Sequence, residues 1–288
     1  MEEKSYYDFD PKEDFIKLWT AVIPEINRIR LSGAEMAILL FLARYISYDN
    51  FVVMSPSGKH VNSSDIQKAL ELSPETVKKA VKKFRDKGLI AVSRTAKTYT
   101  YIANPYVFSK GGSYNSTLME LFKNTQQYRQ LVNLSCRKKE VIEGDAINFP
   151  EDATFIRLWI NVLPYLTDIG LTGAEWSILL TCFYAARYET GLAAYSNGKP
   201  LTVETITKVC NRSCRTITDG LNHLEDLGLI RFEGSELYLN PFVGSRGRRI
   251  TNKLNQTFRE TEVCHLYEMR GEDREEQGLH KRLETLMA

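Results

Sequence analysis

Leu72-Ser73-Pro74-Glu75-Thr76-Val77-Lys78-Lys79-Ala80-Val81-Lys82-Lys83-Phe84-Arg85-Asp86-Lys87-Gly88-Leu89-Ile90 reads as a turn, a capped helix and the first residues of a strand. Ser73 is a good N-cap, because its hydroxyl can accept from an orphan amide of the first turn, and Pro74 suits the first helical position. Val77, Val81 and Phe84 fall at i, i+4 and i+7 and predict the buried stripe. Gly88 ends the helix as a C′ glycine. Leu89 to Val92 then predicts a strand and Thr98 to Ile102 a second one, with Thr95-Ala96-Lys97 between them. Upstream, Ser63-Ser64-Asp65 predicts an N-cap for a short helix containing Ile66 and Leu70. Two short helices, a tight turn and a β-hairpin, in that order, predict a winged helix-turn-helix.

Working outward, the chain repeats itself about 140 residues later. Phe15-Ile16-Lys17-Leu18-Trp19 returns as Phe155-Ile156-Arg157-Leu158-Trp159, and Leu31-Ser32-Gly33-Ala34-Glu35 as Leu171-Thr172-Gly173-Ala174-Glu175. Asp86-Lys87-Gly88-Leu89-Ile90 returns as Asp226-Leu227-Gly228-Leu229-Ile230, and Asn104-Pro105 as Asn240-Pro241 after a slip of about four residues, as expected in a loop. Each copy is a control for the other. A residue with a core role should recur as a similar type, whereas one with a private task need not.

In each copy the first segment, roughly Asp14 to Arg28 in copy one, predicts a helix with Phe15, Leu18, Trp19, Val22 and Ile26 at helical spacing and Pro24 kinking it or opening its last turn. Ser32-Gly33-Ala34-Glu35 has capping-box spacing, and the apolar run Ile38 to Ile46 that follows predicts a central helix. The expected fold class is mainly α with small β wings, as two tandem winged helix-turn-helix domains. Residues 12–135 form the first with its trailing helix, 136–153 a linker, 154–270 the second with its trailing helix, and 271–288 a charged, frayed tail.

Composition sets bounds. The chain has 288 residues, 43% hydrophobic and 26% charged, which is ordinary for a soluble globular protein. Its net charge is only +2, so any nucleic-acid surface must come from local clustering. No run approaches a membrane span, the N-terminus lacks a signal-peptide pattern, and five cysteines in mostly apolar settings fit a reducing cytoplasm.

The order Phe-Ile-Lys-Leu-Trp, Leu-Ser-Gly-Ala-Glu, Tyr48-Asp49-Asn50, Leu72-Ser73-Pro74-Glu75-Thr76-Val77, Lys87-Gly88-Leu89-Ile90 and Tyr101-Ile102-Ala103-Asn104-Pro105-Tyr106-Val107-Phe108-Ser109-Lys110-Gly111 resembles the RepL-type replication proteins of Firmicute plasmids and phages. The resemblance covers most of both repeats. Its more distinctive element is the Asn-Pro ending after the hairpin, and the chain departs from that family in carrying two copies. It implies a winged-helix initiator that recognises an origin in double-stranded DNA, with host replication proteins recruited afterwards.

The residues themselves also point to DNA. From Ser73 to Gly88 six basic residues face two acidic ones, a local balance of about +4. Ser73, Thr76, Lys78, Lys79, Lys82 and Lys83 are the expected contacts of the reading helix, with Arg94 and Lys97 on the wing and Lys110 beyond it. In the second copy the same span is about −2. Its candidates are Arg212, Arg215, Thr216, Thr218 and Asn222, with Arg246, Arg248 and Arg249 as a phosphate anchor. The competing reading of this copy is a partner-binding or dimerising module.

Enzyme and metal readings find no support. Cys210 and Cys214 stand i, i+4, but a zinc site needs about four ligands, and their counterparts are Leu70 and Pro74. The four histidines are scattered, and Gly58-Lys59-His60 is not a phosphate-binding loop. No cofactor is expected. Transcriptional control of a mobile element and a partner-binding scaffold remain alternatives to origin recognition, and further self-association stays open.

Overall fold

A computed structural model describes residues 6–9, 14–48, 51–94, 99–135, 142–143, 146–148, 154–194 and 198–269. Lys97 and the tail after residue 269 lie outside the described residues.

Copy one contains β1 (Tyr6–Asp8), β2 (Phe15–Trp19), α1 (Ile23–Ile29), α2 (Gly33–Arg44), α3 (Ser63–Ala69), α4 (Pro74–Asp86), β3 (Ile90–Arg94), β4 (Tyr99–Ala103), β5 (Phe108–Ser109), β6 (Ser113–Asn115), α5 (Ser116–Phe122) and α6 (Gln126–Ser135). After β7 (Ile142–Glu143), the order returns: β8 (Ala146–Asn148), β9 (Phe155–Trp159), α7 (Leu163–Asp168), α8 (Gly173–Ala185), α9 (Val203–Cys210), α10 (Cys214–Asp226), β10 (Ile230–Glu233), β11 (Glu236–Leu239), β12 (Gly244–Ser245), β13 (Arg249–Thr251), α11 (Asn252–Phe258) and α12 (Glu262–Glu268).

The fold class differs from expectation. Among the described residues about 47% are helical and 22% strand, with several small sheets, so the fold is a mixed α and β one rather than a mainly α pair of winged helices. Much of the added strand comes from Phe15–Trp19 and Phe155–Trp159, expected as helix. Ile16 and Leu18 are buried with Lys17 half-buried between them, a period of two, whereas Phe15, Leu18, Trp19 and Val22 also match the helical spacing. Pairing decides between them: Lys17 opposes Ser109 and Leu18 opposes Phe108 in β5. The helix begins only at Ile23, with Pro24 in its first turn, after a 3₁₀ turn at Thr20–Val22.

The chain divides into two compact units. One compact unit is Ile16–Ile29 with Ala34–Phe155; the other combines Met1–Phe15 and Arg30–Gly33 with Ile156–Met269. The expected linker contributes structure: β8 pairs antiparallel with β6 as Ala146 opposite Asn115 and Asn148 opposite Ser113. Its counterpart β1 pairs with β13, Tyr6 opposite Thr251. Each copy's leading strand therefore completes the sheet of the other copy. Phe9, which follows β1, is buried against Trp159 and Tyr267.

Inside each unit the recurring residues hold the frame. The indole N–H of Trp19 donates to the Pro105 carbonyl at 2.8 Å, and that of Trp159 to Pro241 at 2.9 Å. The buried Asn104 amide donates to the Gly88 carbonyl at 2.6 Å while its oxygen accepts from the Tyr106 amide; Asn240 does the same with Gly228 and Phe242. The Asn-Pro ending is thus a latch that ties the hairpin to the end of the preceding helix. In the second unit, a Cβ at Gly33 would come 2.1 Å from the Leu171 carbonyl oxygen, and one at Gly173 would come 2.4 Å from that of Leu31. That approach explains why glycine recurs in the Leu-Ser/Thr-Gly-Ala-Glu motif.

Candidate nucleic-acid interface

The centre of the first unit's candidate site is α3, a turn and α4. Asn62, rather than the expected Ser63-Ser64-Asp65 run, caps α3: its side chain accepts from the Ser64 and Asp65 amides, and its own backbone N–H donates to the Asp65 carboxylate. Glu71 in the turn has φ +52, and its counterpart Asn211 has φ +49, so the turn places one residue in the left-handed region in both copies. Ser73 Oγ accepts the Thr76 amide at 3.1 Å and shares a 2.8 Å bond with the Thr76 hydroxyl. Val77, Ala80 and Phe84 are buried, and Val81 is half-buried. Gly88 has φ +68, as a helix-ending glycine should.

The charges of α4 divide into held and open ones. Lys79 lies 3.7 Å from Glu75, and Arg85 lies 3.1 Å from Asp86, both on the surface. Lys83 turns back to α2 and pairs with Glu35 at 2.7 Å, although it was among the expected DNA contacts. Lys78 and Lys82 are exposed, one turn apart, and have no ion-pair partner among the described residues. Lys87, exposed at the helix end, extends the same basic character. The +4 count was thus reduced by one through Glu35, a residue 48 positions away. On the hairpin, Arg94 is exposed and lies 5.4 Å from the Tyr99 ring. Tyr99 was not among the expected contacts; the outward phase of β4 beside a basic residue was the available signal.

α10 has the same frame with a different surface. Ser213 caps it with the same bonds to Thr216, at 3.1 and 2.8 Å. Ile217, Gly220, Leu221 and Leu224 are buried. Thr216, Thr218 and Asn222 are exposed, and Arg215 lies 3.7 Å from Asp219. Arg212 is half-buried just before the cap. His223 takes the place of Lys83 and its Nδ1 meets Glu175 Oε1 at 2.6 Å. Burial pushes the Glu175 carboxyl up, but hydrogen bonds from Thr172 and His223 outweigh it and hold the group below its ordinary value. On the hairpin, Glu233 is tied to Lys253 and Glu236 to the Tyr238 hydroxyl, each at 2.6 Å.

The residues after the hairpins are more structural than expected. Lys110 lies 4.9 Å from the Tyr48 ring, and its counterpart Arg246 lies 5.6 Å from Tyr188 while donating to the Ala186 carbonyl at 2.7 Å. Burial lowers the Arg246 guanidinium below the usual arginine range. Arg249 pairs with Glu189 at 2.7 Å and lies 4.4 Å from the Tyr6 ring. Arg248 is exposed.

Among the described residues, no group of three or more His, Cys, Asp and Glu side chains is placed to hold a metal ion, and no helix is long and apolar enough to cross a membrane. Cys210 is buried and Cys214 exposed. No family model, curated protein or solved structure matches the chain.

Proposed function

We propose that the chain is a double-stranded DNA-binding protein whose principal contact is α4, and that it acts in the cytoplasm without catalytic chemistry of its own. The observation that carries this reading is the Lys78–Lys82 pair: two exposed ammonium groups on one face of a capped helix that follows a tight turn. Such a helix brings cations to backbone phosphates, while Ser73 and Thr76 keep its N-terminal amides ordered. Arg94 extends the basic surface along the hairpin. The resemblance to RepL-type replication proteins makes origin recognition the reading of choice for the biological role, with host replication proteins as later partners. Control of transcription is the alternative, and mapping bound sites to an origin or to a promoter separates them.

The test is duplex binding as a function of salt. Lys78→Ala with Lys82→Ala should weaken binding to all duplexes and make the slope of log K against log salt shallower by about 1.8, from ~0.9 per lost phosphate contact. A slope equal to that of the wild type would refute the assignment of α4.

A second reading concerns the second unit. Its α10 offers one cation in an i,i+4 pair and its hairpin carries Glu233 and Glu236, which favours a role other than duplex reading for that helix.

A further inference from the structure

Positive charge in the second unit is concentrated elsewhere than on α10. Tyr184, in the last turn of α8, is 49% exposed and Tyr188, just beyond it, 57%. Arg246 lies 5.6 Å from the Tyr188 ring and also interacts electrostatically with Tyr184. Arg248 is exposed, with no ion-pair partner among the described residues, and follows Gly247, where a Cβ would lie 3.8 Å from the Tyr188 ring. Arg249 and Glu189 neutralise each other at the edge of the patch.

The other copy lacks this arrangement. Tyr184 corresponds to Arg44, Arg248 to Gly112 and Arg249 to Ser113, whereas Tyr188 and Arg246 correspond to Tyr48 and Lys110. The cation-on-tyrosine pair is therefore part of the shared frame, and the second aromatic and the additional guanidinium are private to this unit. Exposed residues that do not recur are the ones free to take a task of their own.

We propose that the face carrying Tyr184, Tyr188, Arg246 and Arg248 binds single-stranded nucleic acid. The tyrosines would stack unpaired bases, Arg246 would keep the Tyr188 ring in place and Arg248 would hold a phosphate. Alternating flat rings and guanidinium groups suit this ligand because every base has a π-face and every nucleotide a phosphate. A duplex keeps its base faces stacked inside and leaves exposed tyrosines nothing to stack on. The four residues belong to the second unit and α4 to the first, so the proposal is tested independently of the duplex reading.

The experiment is fluorescence anisotropy of the full chain with labelled oligo(dT) and with a labelled blunt duplex. Tyr184→Ser and Arg248→Ser should each weaken oligo(dT) binding, Tyr184→Ser by about tenfold for the lost stacking partner, and Tyr184→Ser should leave duplex affinity unchanged. Tyr184→Phe keeps the ring and should bind like wild type. Lys78→Ala with Lys82→Ala should weaken the duplex alone. Circular dichroism and denaturant unfolding confirm that each variant is folded. The proposal is overturned if wild type does not bind oligo(dT), if Tyr184→Ser and Arg248→Ser bind it as wild type does, or if they lose affinity for anionic vesicles instead.

Discussion

α4 and α10 are the same helix built twice and dressed differently. Their caps agree in partner and in distance, Ser73 with Thr76 and Ser213 with Thr216. Their buried positions agree in type: Val77 with Ile217, Ala80 with Gly220, Phe84 with Leu224. Even the surface pair one turn in is kept, with its signs exchanged, as Glu75 with Lys79 and Arg215 with Asp219, both at 3.7 Å. What differs is the outward face, where Lys78 and Lys82 become Thr218 and Asn222. The positions retained are those the backbone and core require. Those released are the ones that solvent sees.

The comparison can be broken most severely through the shared frame. Trp19→Ala and Trp159→Ala each remove a buried indole and its bond to a proline carbonyl, and each should destabilise its unit by about 3–5 kcal/mol in denaturant unfolding. Similar losses would support recurrence as a marker of structural roles; a loss in one copy alone would break it. Asn104→Ala and Asn240→Ala should each lose about 1–3 kcal/mol, because the groups they satisfy are left buried without a partner.

The released positions supply the complementary test. Thr218→Lys with Asn222→Lys should give α10 the missing pair and steepen the salt dependence of duplex binding by up to about 1.8. No change would mean that α10 does not face the duplex.

The Lys83–Glu35 and His223–Glu175 pairs sharpen the comparison further. The Glu175 carboxyl sits below its ordinary value in the folded protein, so its contribution to stability is fully present above the unfolded value of about 4.5 and is lost as pH falls through the lower folded value. Glu175→Gln should flatten that acid dependence, measured as denaturation midpoints across the carboxylate range. The smallest expected effect is that of Arg215→Ala. Arg215 is 91% exposed and already beside Asp219, so duplex affinity should change by less than about threefold, in keeping with the small worth of exposed pairs.

Legibility in the sequence followed the range of the interactions. Ser73, Pro74 and Gly88 were readable because a cap, a first-turn proline and a helix-ending glycine act on their own neighbours. Phe15–Trp19 differs from the expected helix because Phe15, Leu18, Trp19 and Val22 match helical spacing while Ile16 and Leu18 match a strand, and the strand partner lies about ninety residues away at Phe108 and Ser109. Lys83 was counted as outward because its partner Glu35 is on another helix. Arg246 and Arg249 looked like an open cluster in a run of four residues, yet Ala186 and Glu189 hold them.

By itself the sequence determined the tandem repeat, the two helices and hairpin in each copy, and the concentration of lysine on α4. These rest on caps, periodicity and composition, which act over a few residues. Only the tertiary structure decided that each copy's leading strand is lent to the other, Tyr6 to Thr251 and Ala146 to Asn115, and which cations remain open. Backbone pairing is blind to side-chain identity, and a charge is open or held according to neighbours brought near only by folding.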